Sequence, residues 1–529
     1  MTSASLPRPA SRREFLTHAA VGMAAVCAAT ARLPAFAAVS AGWEHATPAT
    51  VARLLDRVTW GVTVQGPEAL AGSSVAAYLR AQLQPGSDVL PGLMQAHVDA
   101  LRISHTPLTA LLPELGQQLH QARKRPAEDG RKQALKEVRQ VLNALQEETT
   151  QRFVLRALHS PWQLREKMAW FWMNHFSIFA HKGSLRAMVA DYEERAIRPH
   201  ALGRFRNLLG AVTRHPAMLR YLDNAKNAAG RINENLAREL MELHTLGVDG
   251  GYTQQDVQEL ARVLTGVGIT LQPPSEAPLR LRPALQRHYV RDGLFEFMPN
   301  RHDWEPKTLL GQPLRREGLA ELDEALDRLA RAPATARHIA RKLALYLVGD
   351  APPADLVAAM ARTFERTDGD IAAVLATLFD SPAFAASLGQ RLRDPTQYLM
   401  AAMRLLATGT EADFAAPGLA HDWLQRLSQP LYGRPTPDGY PLDSVAWVGS
   451  GQMVTRFDAA RSLSAGLAAY AQPLRQRAAP AAATALQHTM AARTLVPTWS
   501  QATRNALAQA STEREWNFLF LSAPEFMHG

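Results

Sequence analysis

Apolar positions recur along this chain with the three-to-four-residue spacing of an α-helix, and alternating strand-like runs are scarce. Ala, Leu, Arg, Gln and Glu fill the positions between them, and all are good helix formers. The pattern predicts an all-α fold, a multi-helix globular protein with long irregular loops. Val51-Ala52-Arg53-Leu54-Leu55 opens a helix that ends near Trp60-Gly61. Residues 108–155 read as two helices around a charged turn (Lys124 to Gly130). The second places Leu135, Val138, Leu142 and Leu145 on one face, as in a hairpin projecting from the body. Ser160-Pro161-Trp162 starts a helix running toward Phe179, with Ser160 as N-cap and Pro161 in the first turn. Its apolar stripe is Leu164, Met168, Phe171, His175 and Phe179. Four prolines (Pro273, Pro274, Pro278, Pro283) make 272–283 a loop. Residues 300–312 are irregular, 319–385 return to helices, and 428–451 form a long Pro- and Gly-bearing loop. An Ala- and Pro-rich spacer covers 471–485. Leu378-Phe379-Asp380-Ser381-Pro382-Ala383-Phe384 and Phe520-Leu521-Ser522-Ala523-Pro524-Glu525-Phe526 echo each other and are expected to end a helix in the same way.

The N-terminus departs from this pattern. Ser11-Arg12-Arg13-Glu14-Phe15-Leu16 precedes a weakly apolar run, Ala19 to Ala31, and then the A-x-A spacing of Ala35 and Ala37. The run holds about 13 residues, whereas a bilayer span needs ~20. The paired arginines followed by Phe and Leu fit a twin-arginine signal. The expectation is a signal peptide over 1–37, export in the folded state and a periplasmic or secreted protein. Val26 before Cys27 argues against lipidation there. Cleavage would remove four basic and one acidic residue and lower the formal charge from +9 to +6. It would also remove the only cysteine, leaving no disulfide, thiolate metal site or cysteine nucleophile. Arginine is spread along the helices without a basic block, so no nucleic-acid partner is expected. No later stretch is apolar for long enough to span a membrane. The remainder divides into an N-terminal helical part (38–271), a Pro-rich and His-Asp loop region (272–318) and a C-terminal helical part (319–529).

Candidate chemistry falls in four segments. His175 sits within the apolar stripe, as either a core histidine or a ligand or acid/base group at a pocket floor. Asn174 flanks it, and Lys167 is placed to meet a carboxylate. The second segment, Asn233 to Gly247, reads as a helix capped by Asn233 with Leu236, Leu240 and Leu243 on its core stripe. On that projection His244 lies about 60° to one side and Glu239 about 80° to the other. They do not chelate by themselves, yet each could join groups from another helix. Glu242 points outward. After it, Val248 to Thr253 is a tight turn, with Gly250-Gly251 as a plain turn or an anion nest and Thr253 with Asp256 as a capping box. The third, Asn300-Arg301-His302-Asp303-Trp304-Glu305-Pro306-Lys307, crowds His, Asp, Glu and Lys into a loop, as catalysis or a charged surface would. The fourth is Pro435-Thr436-Pro437-Asp438-Gly439-Tyr440-Pro441 with Trp447, a rigid lid or packing strap. Nucleophile-elbow, P-loop, zincin, c-type haem and dinucleotide signatures are absent.

The run Asn233-Glu234-Asn235-Leu236-Ala237-Arg238-Glu239-Leu240-Met241-Glu242-Leu243-His244-Thr245-Leu246-Gly247-Val248-Asp249-Gly250-Gly251-Tyr252-Thr253 resembles the hallmark of the family called domain of unknown function 1800. Arg165-Glu166-Lys167 through Trp172-Met173-Asn174-His175-Phe176 is similar to another of its segments. So are His215-Pro216-Ala217-Met218 to Asn224, His302-Asp303 to Gly311, Ile339-Ala340-Arg341-Lys342-Leu343 and Pro437-Asp438-Gly439-Tyr440-Pro441. The resemblance covers about 45–527. It implies an exported protein encoded beside a second exported family, domain of unknown function 1501, itself similar to sulfatases and phosphatases. Two functions stay open. One is an exported, hydrolase-like, metal-assisted enzyme working with that partner. Its catalytic candidates are His175, Glu239, His244, His302 and Asp303. Its ligand-binding candidates are Asn174, Arg238, Lys307, Asp438 and Tyr440, and a divalent metal would sit on His175, Glu239 and His244. The other is a non-catalytic binding or assembly partner.

Overall fold

The computed structural model describes residues 43–272, 281–471 and 485–529. The signal segment, the prolines Pro273, Pro274 and Pro278, and most of the 471–485 spacer lie outside the described residues. Within them the protein is predominantly helical. The principal helices are α1 (Pro48–Val58), α2 (Leu108–Lys124), α3 (Glu128–His159), α4 (Gln163–His175), α5 (Phe205–Arg214), α6 (Asn235–Glu242), α7 (Gln254–Val263), α8 (Leu319–Arg331) and α9 (Pro333–Leu347). They continue with α10 (Ala354–Arg366), α11 (Ile371–Phe379), α12 (Pro395–Leu406), α13 (Ser450–Leu463) and α14 (Glu513–Ser522). One apolar core runs through the fold and includes both Trp43 and Met527.

Helix α4 passes through the middle of that core and is buried on every side. The single stripe expected for it therefore understates its burial. It also starts two residues later than expected. Ser160 accepts from the Trp162 amide and donates to Glu166 instead of capping a helix at Pro161. Ending at His175, α4 leaves Phe179 outside it and half-buried. Polar groups inside such a helix need partners. Glu166 receives two hydrogen bonds from Arg198, at 2.8 and 2.7 Å. Lys167 meets no carboxylate: its ammonium donates to the carbonyls of Arg57 and Thr59, at 2.6 and 3.0 Å.

The α2–α3 hairpin forms as expected, with charged residues at its turn and the C-terminal half of α3 in the core. The two echoing segments end α11 and α14 alike, each followed by a short helix with proline at its first position. Phe379 and Phe384 pack at 5.1 Å between ring centroids, and Phe520 and Phe526 at 5.5 Å.

Short strands interrupt the helices where the sequence reads as loop. Strands β1 (Val267–Ile269), β2 (Val290–Asp292) and β3 (Phe295–Phe297) form an antiparallel sheet in the order β1-β3-β2. Val267 faces Phe297 and Ile269 faces Phe295, and both phenylalanines are buried while Glu296 between them is not. Strands β4 (Thr308–Leu309) and β5 (Gln312–Pro313) make a small hairpin in the 300–312 segment. Among the described residues no helix is long and apolar enough to cross a membrane.

Candidate functional site

The hallmark helix stops earlier than its sequence suggests. After α6 ends at Glu242, the amides of Leu243 and His244 both donate to the Glu239 carbonyl, each at 3.0 Å. Thr245 Oγ1 donates to the Leu240 carbonyl at 2.6 Å, and the Gly247 amide to that of Met241 at 3.2 Å. This wide turn swings His244 into the core, fully buried, and leaves Leu243 half-buried. A continuous helix would have done the opposite. At the other end, the cap position is Glu234 and not the expected Asn233, whose carboxamide oxygen accepts from the Asn235 amide at 3.0 Å from one residue further out. Thr253 and Asp256 form the expected capping box at the start of α7.

Three imidazoles gather behind this turn. The rings of His175 and His244 lie 5.8 Å apart, and those of His175 and His338 6.1 Å apart. His175 Nε2 is 3.1 Å from the His244 carbonyl, and His338 Nε2 is 3.1 Å from that of Leu243. A carbonyl only accepts, so in both rings Nε2 carries the proton and Nδ1 is a bare lone pair. His175 Nδ1 and both ring nitrogens of His244 are buried without a hydrogen-bond partner among the described residues. Such atoms cost about 1–3 kcal/mol each. Burial first, and then the nearby Lys342 cation, hold all three below the usual histidine value: His244 to about 3, His338 to about 4, His175 well down. They are neutral at neutral pH. Gly247 lets α9 approach, because a Cβ there would lie 2.9 Å from His338 Nδ1.

Lys342 follows His338 by one turn of α9. It is half-buried and makes no hydrogen bond or ion pair with the described residues. Burial lowers its ammonium to about 8, and Asp438 opposes that shift. Asp438 belongs to the Pro435–Pro441 loop, which two tyrosines and Asn174 hold down. The Asn174 carboxamide accepts from the Tyr440 amide at 2.6 Å and donates to the Tyr440 carbonyl at 2.9 Å. Tyr221 Oη donates to the Pro435 carbonyl at 2.8 Å, and Tyr440 Oη to that of Pro430 at 2.7 Å. Gly439 is obligatory, since its φ is +76° and a Cβ would stand 2.2 Å from the Asn174 carbonyl oxygen. Exposed Asp438 pairs with Arg434 at 2.7 Å. Glu239, on α6, is half-buried; burial and then Glu242 raise its carboxyl, with Asp438 adding to the rise. Burial, Glu239 and Asp438 together push Tyr221 up to about 12.

The structure thus brings His175, His244, Glu239, Asp438, Asn174 and Tyr440 to one region and separates their roles. Asn174 and Tyr440 hold the loop through main-chain bonds, and their side chains are not free for a ligand. Among the described residues no three His, Cys, Asp or Glu side chains are placed to hold a metal ion, so His175, Glu239 and His244 do not form the expected ligand set. Arg238 is spent on Glu234 and Gln254, at 2.8 and 3.0 Å. His338, Lys342 and Tyr221 were missed as site residues. The only signal for the first two was their i,i+4 spacing beside Ile339-Ala340-Arg341.

The His302 loop is a separate structure. His302 Nδ1 lies 2.9 Å from the Thr265 carbonyl, and Nε2 is 3.5 Å from Glu321 Oε2. Lys307 stands 2.8 Å from the same Glu321 oxygen and also donates to the Asp303 and Glu305 carbonyls. Asp303 is clamped by Arg262 at 2.8 and 3.1 Å, which holds its carboxyl below the usual range. His302, Lys307 and Glu321 are all buried. None of these bonds reaches the His175 group. The loop locks α7 to α8, and His302, Asp303 and Lys307 take part in that lock, apart from the His175 group.

The sequence model of one protein family, described as Protein of unknown function (DUF1800), matches residues 53–528. No curated protein and no solved structure matches the chain.

Proposed function

The chain belongs to the DUF1800 family, whose description names no reaction, and we propose that it is an exported, hydrolase-like enzyme running acid/base chemistry around Lys342. One observation carries this reading: a half-buried amine without hydrogen bond or ion pair among the described residues, backed by three neutral imidazoles and approached by Asp438, whose charge also reaches Glu239. A structural lysine is paired, as Lys307 is. A lysine lowered toward neutrality and a carboxyl raised toward it are suited to exchanging protons with a substrate at the pH of their surroundings. Lys342 would take a proton from the attacking water and Glu239 would return one to the leaving group. Arg12 and Arg13 would direct export through the twin-arginine route, and an Arg12→Lys, Arg13→Lys chain should then stay in the cytoplasm.

The test is a panel of chromogenic esters, phosphoesters, sulfate esters, glycosides and amides, applied to purified protein with Lys342→Met and Glu239→Gln beside it. Turnover lost in folded variants supports the enzyme. Turnover unchanged in both would end it. A second reading, docking to an exported partner of the domain of unknown function 1501 family, is favoured by a different observation. Val445, Val448, Val454 and Phe457 are exposed within one short stretch, at 77, 54, 60 and 42%. Co-purification that survives in the wild type and is lost in Val454→Asp, Phe457→Asp would support it.

A further inference from the structure

A cavity of roughly 530 Å³ lies under the α2–α3 hairpin, away from the Lys342 site. That volume is typical of small-molecule sites. Leu115 and Leu119 of α2 and Leu135 and Leu142 of α3 supply its walls. Arg123, Arg139, Arg186 and Arg220 line it as well, and among the described lining residues there is neither a carboxylate nor a Phe, Tyr or Trp ring.

Of the four guanidiniums, Arg186 and Arg220 are half-buried and Arg123 and Arg139 exposed. Other half-buried arginines of this protein do pair with carboxylates, as Arg206 does with Asp327 at 2.6 Å and Arg262 with Asp303 at 2.8 Å. None of the four forms an ion pair with a described residue. Arg186 donates to His181 Nδ1 at 2.7 Å and to Asn143 Oδ1 at 2.8 Å, both neutral partners. Arg220 is half-buried and makes no hydrogen bond or ion pair with the described residues. It also borders a second cavity of roughly 330 Å³, which shares Gly183 and Ser184 with the first. The Ser184 hydroxyl there is buried without a hydrogen-bond partner among the described residues. Like charges gathered without a counter-charge are costly, and an anion relieves that cost. Leucine walls without aromatic rings suit a hydrocarbon chain and not a stacked base.

We propose that this cavity binds a single-chain amphiphilic anion, with its hydrocarbon part against the leucines and its headgroup on Arg220 and Arg186. A carboxylate and a phosphate monoester share that chemistry. The experiment is titration calorimetry of the whole protein with laurate, dodecyl phosphate and dodecanol. Either anion should bind at least about tenfold more tightly than the neutral alcohol. Preference for laurate assigns a fatty acid, and preference for dodecyl phosphate a phosphorylated lipid. Arg220→Gln should weaken the preferred anion about tenfold. Gly116→Phe should abolish binding, because Gly116 lines the cavity and nothing lies within 4 Å of its added Cβ. Thermal unfolding of both variants should match the wild type, which keeps the test free of folding effects. No binding by either anion, equal binding of alcohol and anions, or undiminished binding in Gly116→Phe would overturn the proposal.

Discussion

Two buried polar groups in this protein use nearly the same residue types and reach opposite ends. At Glu321, one lysine and one histidine meet one carboxylate, and main-chain carbonyls take up Lys307's other donors. At Lys342, the ammonium makes no hydrogen bond or ion pair with the described residues, and two of the three histidines behind it keep ring nitrogens unbonded there in the core. A crowd of His, Asp, Glu and Lys therefore says little by itself. The separating quantity is whether the ammonium has a counter-charge, because the Lys307–Glu321 ion pair ties two elements of the fold together. An unsatisfied group costs stability that only some other role offsets.

The comparison breaks first at its structural side. Lys307→Met leaves Glu321 buried with only the longer contact to His302. It should cost about 3–5 kcal/mol in urea unfolding, and a loss under 1 would mean the clamp is not one. Gly439→Ala is next, at roughly 3 kcal/mol, from the collision with the Asn174 carbonyl; a crystal structure or thermal melt of that variant checks it.

The pH dependence sharpens the other side. His244 is held to about 3 in the fold, against 6.5 when unfolded. The unfolded chain therefore binds the extra proton between those values. The stability His244 confers is complete above 6.5 and is lost as pH falls toward about 3, with a slope of ~1.4 kcal/mol per pH unit. His244→Phe should flatten stability between pH 4 and 6.5, measured by urea titration, and be no less stable at pH 7. Lys342 has the same sign at higher pH, because its lowered value leaves stability complete above 10.5 and reduced as pH falls to about 8. Lys342→Met should raise stability at pH 7, where the buried ammonium is charged in both states, by about 1–3 kcal/mol, in contrast to Lys307→Met. Amine-directed labelling of the wild type should modify Lys342 at pH 8 ahead of exposed lysines. Smallest of all, Arg238→Ala loses an exposed pair with Glu234 and should cost under about 0.5 kcal/mol.

Helical content, the α2–α3 hairpin, the capping box at Thr253 and the paired helix ends at Phe379 and Phe520 could all be read from the chain itself. Each depends on neighbours a few residues apart, and local sterics and hydrogen bonding decide it. The family could be read for a similar reason, since many ordered segments coincide. Four things needed the tertiary structure. The strands β1 to β5 are too short to show a period, and pairing alone makes them. The early end of α6 and the inward turn of His244 follow from packing against α9, where Gly247 meets His338. The union of Lys342 with Asp438 and of Asn174 with Tyr440 joins positions far apart in the chain, and no local pattern encodes a distance. The last is which polar residues lack a partner, a property of the whole surroundings of an atom and never of its sequence neighbours.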